Sequence, residues 1–160
     1  MTAPPAHAPA NAGSVQIVRI EVGSDHHDAE MDLRYRVLRA PLGMGRETVR
    51  FSFEDDAWHY VALDADGRVI GCVLFHQDAP DGGRLFQMAV DPDLQTSGVG
   101  RALVRHLEAA VAGAGLRHIH LHARDTAMGF YERLGYHVTG EPFIEVGIGH
   151  HMMARTLGQD

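Results

Sequence analysis

One cysteine, Cys72, stands in 160 residues, so an internal disulfide framework is excluded. It sits inside the apolar run 69–75, which favours a buried, inert thiol over a nucleophile. No apolar run approaches the ~20 residues that span a bilayer. Positive charge is scarce as well. Fourteen Lys and Arg against 21 Asp and Glu give a formal net charge of -7. That balance argues against general affinity for nucleic acid or anionic membrane, and suits a cationic or amine partner. Residues 1–13, rich in Ala and Pro, lack a basic start and an apolar centre. They read as a disordered tail rather than a secretory leader, which leads us to expect a cytoplasmic protein. What remains, 14–158, is expected to be a single domain. Its 45% hydrophobic content and mean hydropathy of -0.15 suit a soluble globule with a sizeable core.

The most informative stretch runs from Leu85 to Leu107. Leu85 to Val90 reads as a buried strand, stopped by Asp91-Pro92 because proline cannot donate to a sheet ladder. Gln95-Thr96-Ser97-Gly98-Val99-Gly100 follows. Then Val99, Ala102, Leu103, Leu107, Ala110 and Val111 recur at offsets of three and four, which predicts an amphipathic helix. A glycine-bearing turn thus leads from a strand into a helix. The first amides of a helix lack intrahelical acceptors and carry partial positive charge, so such a mouth accepts phosphate. It is equally the form of an ordinary packing turn. A Walker A loop is excluded, because Arg101 and Ala102 follow Gly100. A dinucleotide fingerprint is excluded too, because Leu103 stands where its third glycine belongs.

Elsewhere the chain alternates. Val18, Ile20 and Val22 predict a first strand. Ser24 or Asp25 caps a helix bearing Met31, Tyr35 and Leu38 on one face, with Arg34, Arg36 and Arg39 read as a solvated face. Pro41 ends that helix, and 48–56 is a loop or short helix. Asp64-Ala65-Asp66-Gly67 and Asp81-Gly82-Gly83 signal two hairpins. Residues 117–123 predict a strand with His118, His120 and His122 on one face. Three imidazoles at period two also admit a metal-dependent enzyme, although no further ligand is identifiable and no metal is expected. A short helix carrying Ala127, Phe130, Tyr131 and Leu134 follows, closed by Gly135. Strands from Tyr136 and around Ile148–Leu157 complete the order.

Gln-x-x-Gly-x-Gly after a strand resembles the acetyl-CoA pyrophosphate loop of the GNAT N-acyltransferase superfamily. A second motif agrees: Ala127, Tyr131, Gly135 and Tyr136 match the superfamily's helix after its fifth strand, with Arg124 where an Asn is common. Phe143, Glu145, Gly147, Ile148, His150 and Met153 resemble an ElaA-like branch, with Gly149 in place of its usual Pro. The resemblance covers about residues 15 to 157. It implies an α+β fold: a mixed, mostly antiparallel twisted sheet flanked by helices and splayed between its fourth and fifth strands. It also implies acetyl-CoA as co-substrate, an amine of a small molecule or protein as acceptor, and a fold whose members often dimerise.

On that resemblance, Met88, Ala89 and Val90 would pair with the pantetheine arm as an added strand does. The amides of Gln95, Thr96, Ser97, Gly98, Val99, Gly100 and Arg101 would hold the pyrophosphate, with Arg124 as a further phosphate contact. Tyr131 would protonate the departing thiolate. His150, ahead of His122, would serve as base or relay, with Glu54 and Asp56 as weaker candidates. A non-catalytic acyl-CoA sensor is the alternative reading of the same site.

Overall fold

A computed structural model describes residues 15–158. The stretch 1–13, read above as a tail, lies outside the described residues. The elements are β1 (Gln16–Ile20), α1 (Asp25–Arg34), β2 (Trp58–Leu63), β3 (Val69–Ala79), β4 (Gly82–Val90), α2 (Val99–Gly113), β5 (His118–Arg124), α3 (Met128–Arg133), β6 (His137–Val138), β7 (Phe143–Glu145) and β8 (Ile148–Thr156). The eight strands form one mixed sheet in the order β1-β2-β3-β4-β5-β8-β6, with β7 also paired to β8. β4 and β5 are parallel, and their ladder runs only from Gly82↔His118 to Arg84↔His120. β4 continues to Val90 and β5 to Arg124 beyond the last paired residues, the opening expected between fourth and fifth strands. Gly82 is required at this pairing, because a Cβ there would collide with the His118 carbonyl. Gly82 and Gly83 therefore belong to β4 itself, and the hairpin turn lies just before them.

The chain divides into two compact units, 15–74 with 87–106 and 75–86 with 107–158. In the first, Ile20, Leu33, Val61, Leu63, Cys72 and Ala89 form a buried cluster, with Val18, Val37, Leu38 and Val69 packed on it. Each Val, Leu or Ile among them, fully buried, is worth about 1.5–3 kcal/mol. Gly71 lets α2 approach β3 closely: a Cβ there would lie 2.9 Å from Leu103 and 3.1 Å from Val99. The Cys72 thiol is buried, donates to the Gln87 carbonyl at 3.3 Å, and is pushed well up in pKa by burial. It is inert, as its apolar run suggested.

Ser24 caps α1, its hydroxyl accepting from the His27 amide at 3.2 Å. Past Arg34 the helix widens into a π-turn, Tyr35–Arg39, and a 3₁₀ turn, Ala40–Leu42, before Gly43 ends it at φ 72°. The arginines of this helix are not a solvated face. Arg34 is fully buried and Arg39 nearly so, while Arg36 stays exposed and pairs with Asp32. For Arg34 the reason is a carboxylate pair inside the unit, described below, while Arg39 donates to the Thr48 and Leu38 carbonyls.

In the second unit, β5 alternates as its sequence predicts: Ile119, Leu121 and Ala123 are buried, and His120, His122 and Arg124 face the other way. β8 lies antiparallel to it, pairing Leu121 with Met153 and Arg124 with His150. Glu108 accepts from the Tyr136 hydroxyl at 2.8 Å and pairs with Arg155 at 2.9 Å, fixing the end of α2 within this unit.

Candidate active site

In the first unit the glycine turn takes the form its residues predict. Asp91 caps a 3₁₀ turn, Pro92–Leu94, its carboxylate accepting from the Asp93 amide. Gln95 donates to the Val90 carbonyl at 3.2 Å, tying the loop back to the end of β4. Gly98 sits at φ +91°, with open space over its Cα. The first helical hydrogen bond runs from the Ala102 amide to the Gly98 carbonyl at 3.0 Å. The amides of Val99, Gly100 and Arg101 therefore have no intrahelical acceptor. A left-handed glycine, an open approach and three amides at the positive end of a 15-residue helix are an anion cradle in form.

The strand leading to that cradle is bent. Gln87 has φ 53°, uncommon for a residue with a side chain, and its Oε1 is buried without a partner among the described residues. The departure falls immediately before Met88, Ala89 and Val90. Met88, Ala89, Val90 and the 95–101 loop are thus consecutive parts of one local structure.

The second unit presents another set of groups. Register places Arg84 opposite His120, Arg124 opposite His150, and His150 opposite Phe143. With period two along each strand, Arg84, His120, His122, Arg124, Glu145 and His150 share one face of the sheet. His122 Nδ1 lies 2.8 Å from Glu145 Oε2 and 3.1 Å from an Arg84 nitrogen. Arg84 also reaches Glu145 Oε1 at 3.9 Å, as does His150 Nε2. His150 is buried, donates from Nδ1 to the Ile148 carbonyl at 2.9 Å, and stacks on Phe143. Burial works against the charge on Glu145, but the hydrogen bond from His122 and the nearby cations outweigh it and hold the carboxyl below its usual range. Burial pushes His122 down, and the Arg84 charge adds to that effect against the pull of Glu145. Burial likewise depresses Arg124, against the pull of Glu145.

Tyr131 is buried on α3, its ring edge-on to Phe130 and Tyr136. Burial drives its phenol well above the ordinary range, so it stays protonated. Among the described residues no hydrogen-bond partner meets its hydroxyl, leaving the proton free to be donated.

The histidines of β5 do not converge. His118 meets Thr156 at 3.0 Å and Asp81 at 3.3 Å, and His120 meets Asp78 at 2.7 Å. His122 goes to Glu145. Each ring has its own partner rather than sharing a ligand set.

Among the described residues the tight cluster of imidazoles and carboxylates is instead His27, Glu30, Glu54 and His59, buried in the first unit, with ligand atoms within 4.8 Å of one another. Arg34 lies in its midst, 2.9 Å from Glu30 and 2.6 Å from Glu54, and also donates to the Val49 carbonyl. His59 contacts Glu30 with Nδ1 and the Glu54 carbonyl with Nε2, so both nitrogens donate and the ring is an imidazolium. His27 accepts from the Gly23 amide at Nδ1 and donates to Glu54 from Nε2, so it is neutral. Two carboxylates thus face one guanidinium and one imidazolium, and the cluster balances its own charge. Glu54, considered above as a base, is excluded from that role. Burial opposes its ionisation, but Arg34, His27 and the Phe51 amide hold its pKa down to about 2. Asp56, at the end of the same turn, is exposed and engages no reactive partner among the described residues.

Sequence reasoning missed Arg84 and gave Glu145 no role. Arg84 is a lone charge in the apolar strand 82–90, a usable signal, but its partner on β5 follows only from the parallel pairing.

The sheet order, the short parallel β4–β5 ladder and the cradle at α2 define an acyl-CoA acyltransferase fold. Residues 42–157 match the family model described as an acetyltransferase (GNAT) domain. The chain belongs to the GNAT family and is an acyltransferase. It is 28% identical to the uncharacterized N-acetyltransferase YitI of Bacillus subtilis over 145 residues, covering 86% of this chain and 97% of that one. Its fold matches Escherichia coli ElaA with a TM-score of 0.74, at 19% identity over 88% of this chain and 99% of that one. It also matches a GNAT family acetyltransferase from Elizabethkingia anophelis with acetyl-CoA bound, at a TM-score of 0.70 and 17% identity over 90% and 99%. No helix among the described residues is long and apolar enough to cross a membrane.

Proposed function

We propose that this chain moves an acetyl group from acetyl-CoA to a primary amine of a small molecule or protein, by direct attack within a ternary complex. The observation that carries this reading is the mouth of α2, where Gly98 at φ +91° opens a path to the unpaired amides of Val99, Gly100 and Arg101. A diphosphate matches that cradle in charge and in its need for main-chain donors. The amides of Gln95 and Thr96 extend the phosphate contacts, whereas the Ser97 amide, expected to join them, already donates to the Leu94 carbonyl at 3.1 Å. Met88, Ala89 and Val90, beyond the bend at Gln87, offer backbone groups to the pantetheine amides. A relative of this fold has been crystallised with acetyl-CoA, which supports the choice of co-substrate.

The chemistry follows from the groups. A lysine-like amine of pKa ~10.4 is neutral about once in 2,500 molecules at pH 7, so freeing it costs roughly 4–5 kcal/mol. A histidine that takes the proton lowers that cost, and His150 and His122 occupy one face of the second unit. The nitrogen attacks the thioester carbon, the C–S bond breaks, Tyr131 donates its proton to the departing sulfur, and the amide nitrogen sheds its surplus proton to solvent, from which Tyr131 recovers one. We read the protein as active in the cytoplasm, without nucleic acid, membrane or metal.

Mass spectrometry of amine mixtures incubated with the protein and acetyl-CoA tests this reading, with heat-inactivated protein as control. All 14 basic residues are arginine, so these 160 residues carry no lysine amine to compete as acceptor. Acetylated amine in the active sample alone supports the proposal; CoA binding without turnover across a broad panel sinks it in favour of a sensor.

A further inference from the structure

Resting on that acyl-transfer reading, we propose that His122 and Glu145 form the general base of this enzyme: Glu145 fixes the imidazole with its proton on Nδ1, and Nε2 takes the proton of the incoming amine. His150 and Arg84 are positioning residues around this dyad.

The tautomer follows from Glu145. Its carboxyl is held ionised, and an ionised carboxylate only accepts. A contact of 2.8 Å from His122 Nδ1 to Oε2 therefore requires the proton on Nδ1. The alternative, Nδ1 accepting from Arg84 at 3.1 Å, would turn a lone pair toward a carboxylate oxygen. With Nδ1 committed, Nε2 carries the lone pair, and it has no partner among the described residues. His150 is arranged differently: it is almost wholly buried, held between the Ile148 carbonyl and the Phe143 ring, with Nε2 turned to Glu145 at 3.9 Å. His122 retains some solvent exposure.

The charges around the ring suit a base. Arg84 from β4 and His120 from β5 oppose protonation before the reaction, and Glu145 from β7 stabilises the imidazolium once it forms. Phe143 packs edge-on against the ring at 5.0 Å. The turn presenting Glu145 is an independent sign. Val146 has φ 46° and Gly147 φ 78°, a two-residue turn between the paired Glu145 and Ile148. A β-branched residue at positive φ is a true outlier, and strain of this kind clusters where a side chain must be held in place.

The step balances. The ammonium gives one proton to His122 Nε2, the neutral nitrogen bonds the thioester carbon, the C–S bond breaks, the sulfur leaves with the Tyr131 proton, and the new amide nitrogen sheds its second proton to solvent, from which Tyr131 regains its own. His122 then loses its proton to solvent.

Two measurements test the dyad. The first is long-range ¹H–¹⁵N NMR of the wild-type protein, which needs no substrate. His122 is expected as the Nδ1–H tautomer, and as a mixture in Glu145→Gln; a wild-type Nε2–H tautomer overturns the proposal. The second is the pH profile of kcat/KM with an amine that wild type acetylates, alongside CoA affinity by calorimetry. His122→Gln is expected to lose roughly 10²–10⁴-fold in kcat and its acidic limb, with CoA affinity retained. Glu145→Gln should move that limb to lower pH and slow kcat at least tenfold, with Glu145→Asp restoring part of the rate. If His122→Gln keeps both the rate and the acidic limb while wild type turns over, the dyad is wrong and acyl transfer stands. If wild type acetylates no amine, the acyl-transfer reading fails and the dyad's catalytic role falls with it, whatever the tautomer.

Discussion

Arg34 grips Glu54 with two nitrogens, Nη1 at 2.6 Å from Oε2 and Nη2 at 3.0 Å from Oε1, and neither side chain sees solvent. Such a pair is costly to assemble and more costly to break, because the survivor is left charged and buried. Arg34→Met should destabilise the protein by about 3–5 kcal/mol, since Glu30 and Glu54 lose their shared cation. Adding Glu54→Gln to Arg34→Met should recover part of that loss. Urea denaturation measures both, and a single-mutant loss below ~1 kcal/mol would show the pair to be ornamental.

The same cluster sets two flanks of stability against pH. The folded pKa of Glu54 lies near 2, below its ordinary 4.5. Its contribution is therefore complete above 4.5 and is lost as pH falls through 2, amounting to about 3 kcal/mol. His59 is raised: burial opposes its charge, but Glu30 and the Glu54 carbonyl outweigh that. Its contribution is full below its ordinary 6.5 and is lost as pH rises through the higher folded value. Unfolding free energy measured across pH should show a plateau with both flanks. Glu54→Gln should flatten the acid flank and His59→Gln the alkaline one. An alkaline flank unchanged in His59→Gln would contradict the imidazolium assignment.

Gly98 is the residue on which the anion cradle turns. At φ +91° any side chain is strained, by roughly 1–2 kcal/mol, although no neighbour would be struck. Gly98→Ala should therefore cost stability modestly and weaken CoA. Gly98→Asp should weaken it at least tenfold, because it adds a negative charge at the phosphate position. Calorimetric titration with CoA reads the effect, and unchanged affinity in Gly98→Asp would remove the cradle from the binding site.

Local order was legible and distant pairing was not. The alternation of His118, His120 and His122 with Ile119 and Leu121 reads directly as a strand, and Val99, Leu103, Leu107 and Val111 as the buried stripe of α2. Both patterns depend only on near neighbours. Arg34 reads as a solvated side chain because its partner Glu54 is 20 residues away, in a turn whose sequence has no period. The role of Arg84 is not legible, because a parallel partner cannot be inferred from its own strand. The positive φ of Gln87 is invisible because glutamine gives no sign of it. The cradle was expected because glycine and helix onset are local signals. The orientation of His122 was hidden because Glu145 is 23 residues further along.

Tyr131 combines a buried ring with a phenol that holds its proton. Tyr131→Phe removes one hydrogen and leaves the packing against Phe130 and Tyr136 intact. Acyl transfer should fall by about 10²–10³, the usual loss of a donor aimed at developing charge, while CoA affinity stays near wild type. Because burial raises the phenol, its ionisation should produce no alkaline limb near pH ~10 in the rate profile. Stopped assays with free thiol detection would check both. A rate unchanged in Tyr131→Phe would remove the acid role.

Val146 carries the strain of the hairpin that presents Glu145. A two-residue turn with both residues at positive φ favours Asn-Gly, and here valine precedes Gly147. A non-glycine residue held in this region costs of order 1–3 kcal/mol, and asparagine tolerates it far better than a β-branched residue. Val146→Asn should therefore raise stability by about 1 kcal/mol, visible as a higher Tm in calorimetry. Rate is the more discriminating readout. If the strain only tightens the hairpin, the more stable variant keeps its kcat and pH profile. If the strain holds Glu145 against His122, the same variant gains stability and loses rate, with its acidic limb moving toward lower pH as in Glu145→Gln. We expect the second pattern, because Glu145 is the last paired residue before the turn and its carboxylate makes the 2.8 Å contact to His122 on β5.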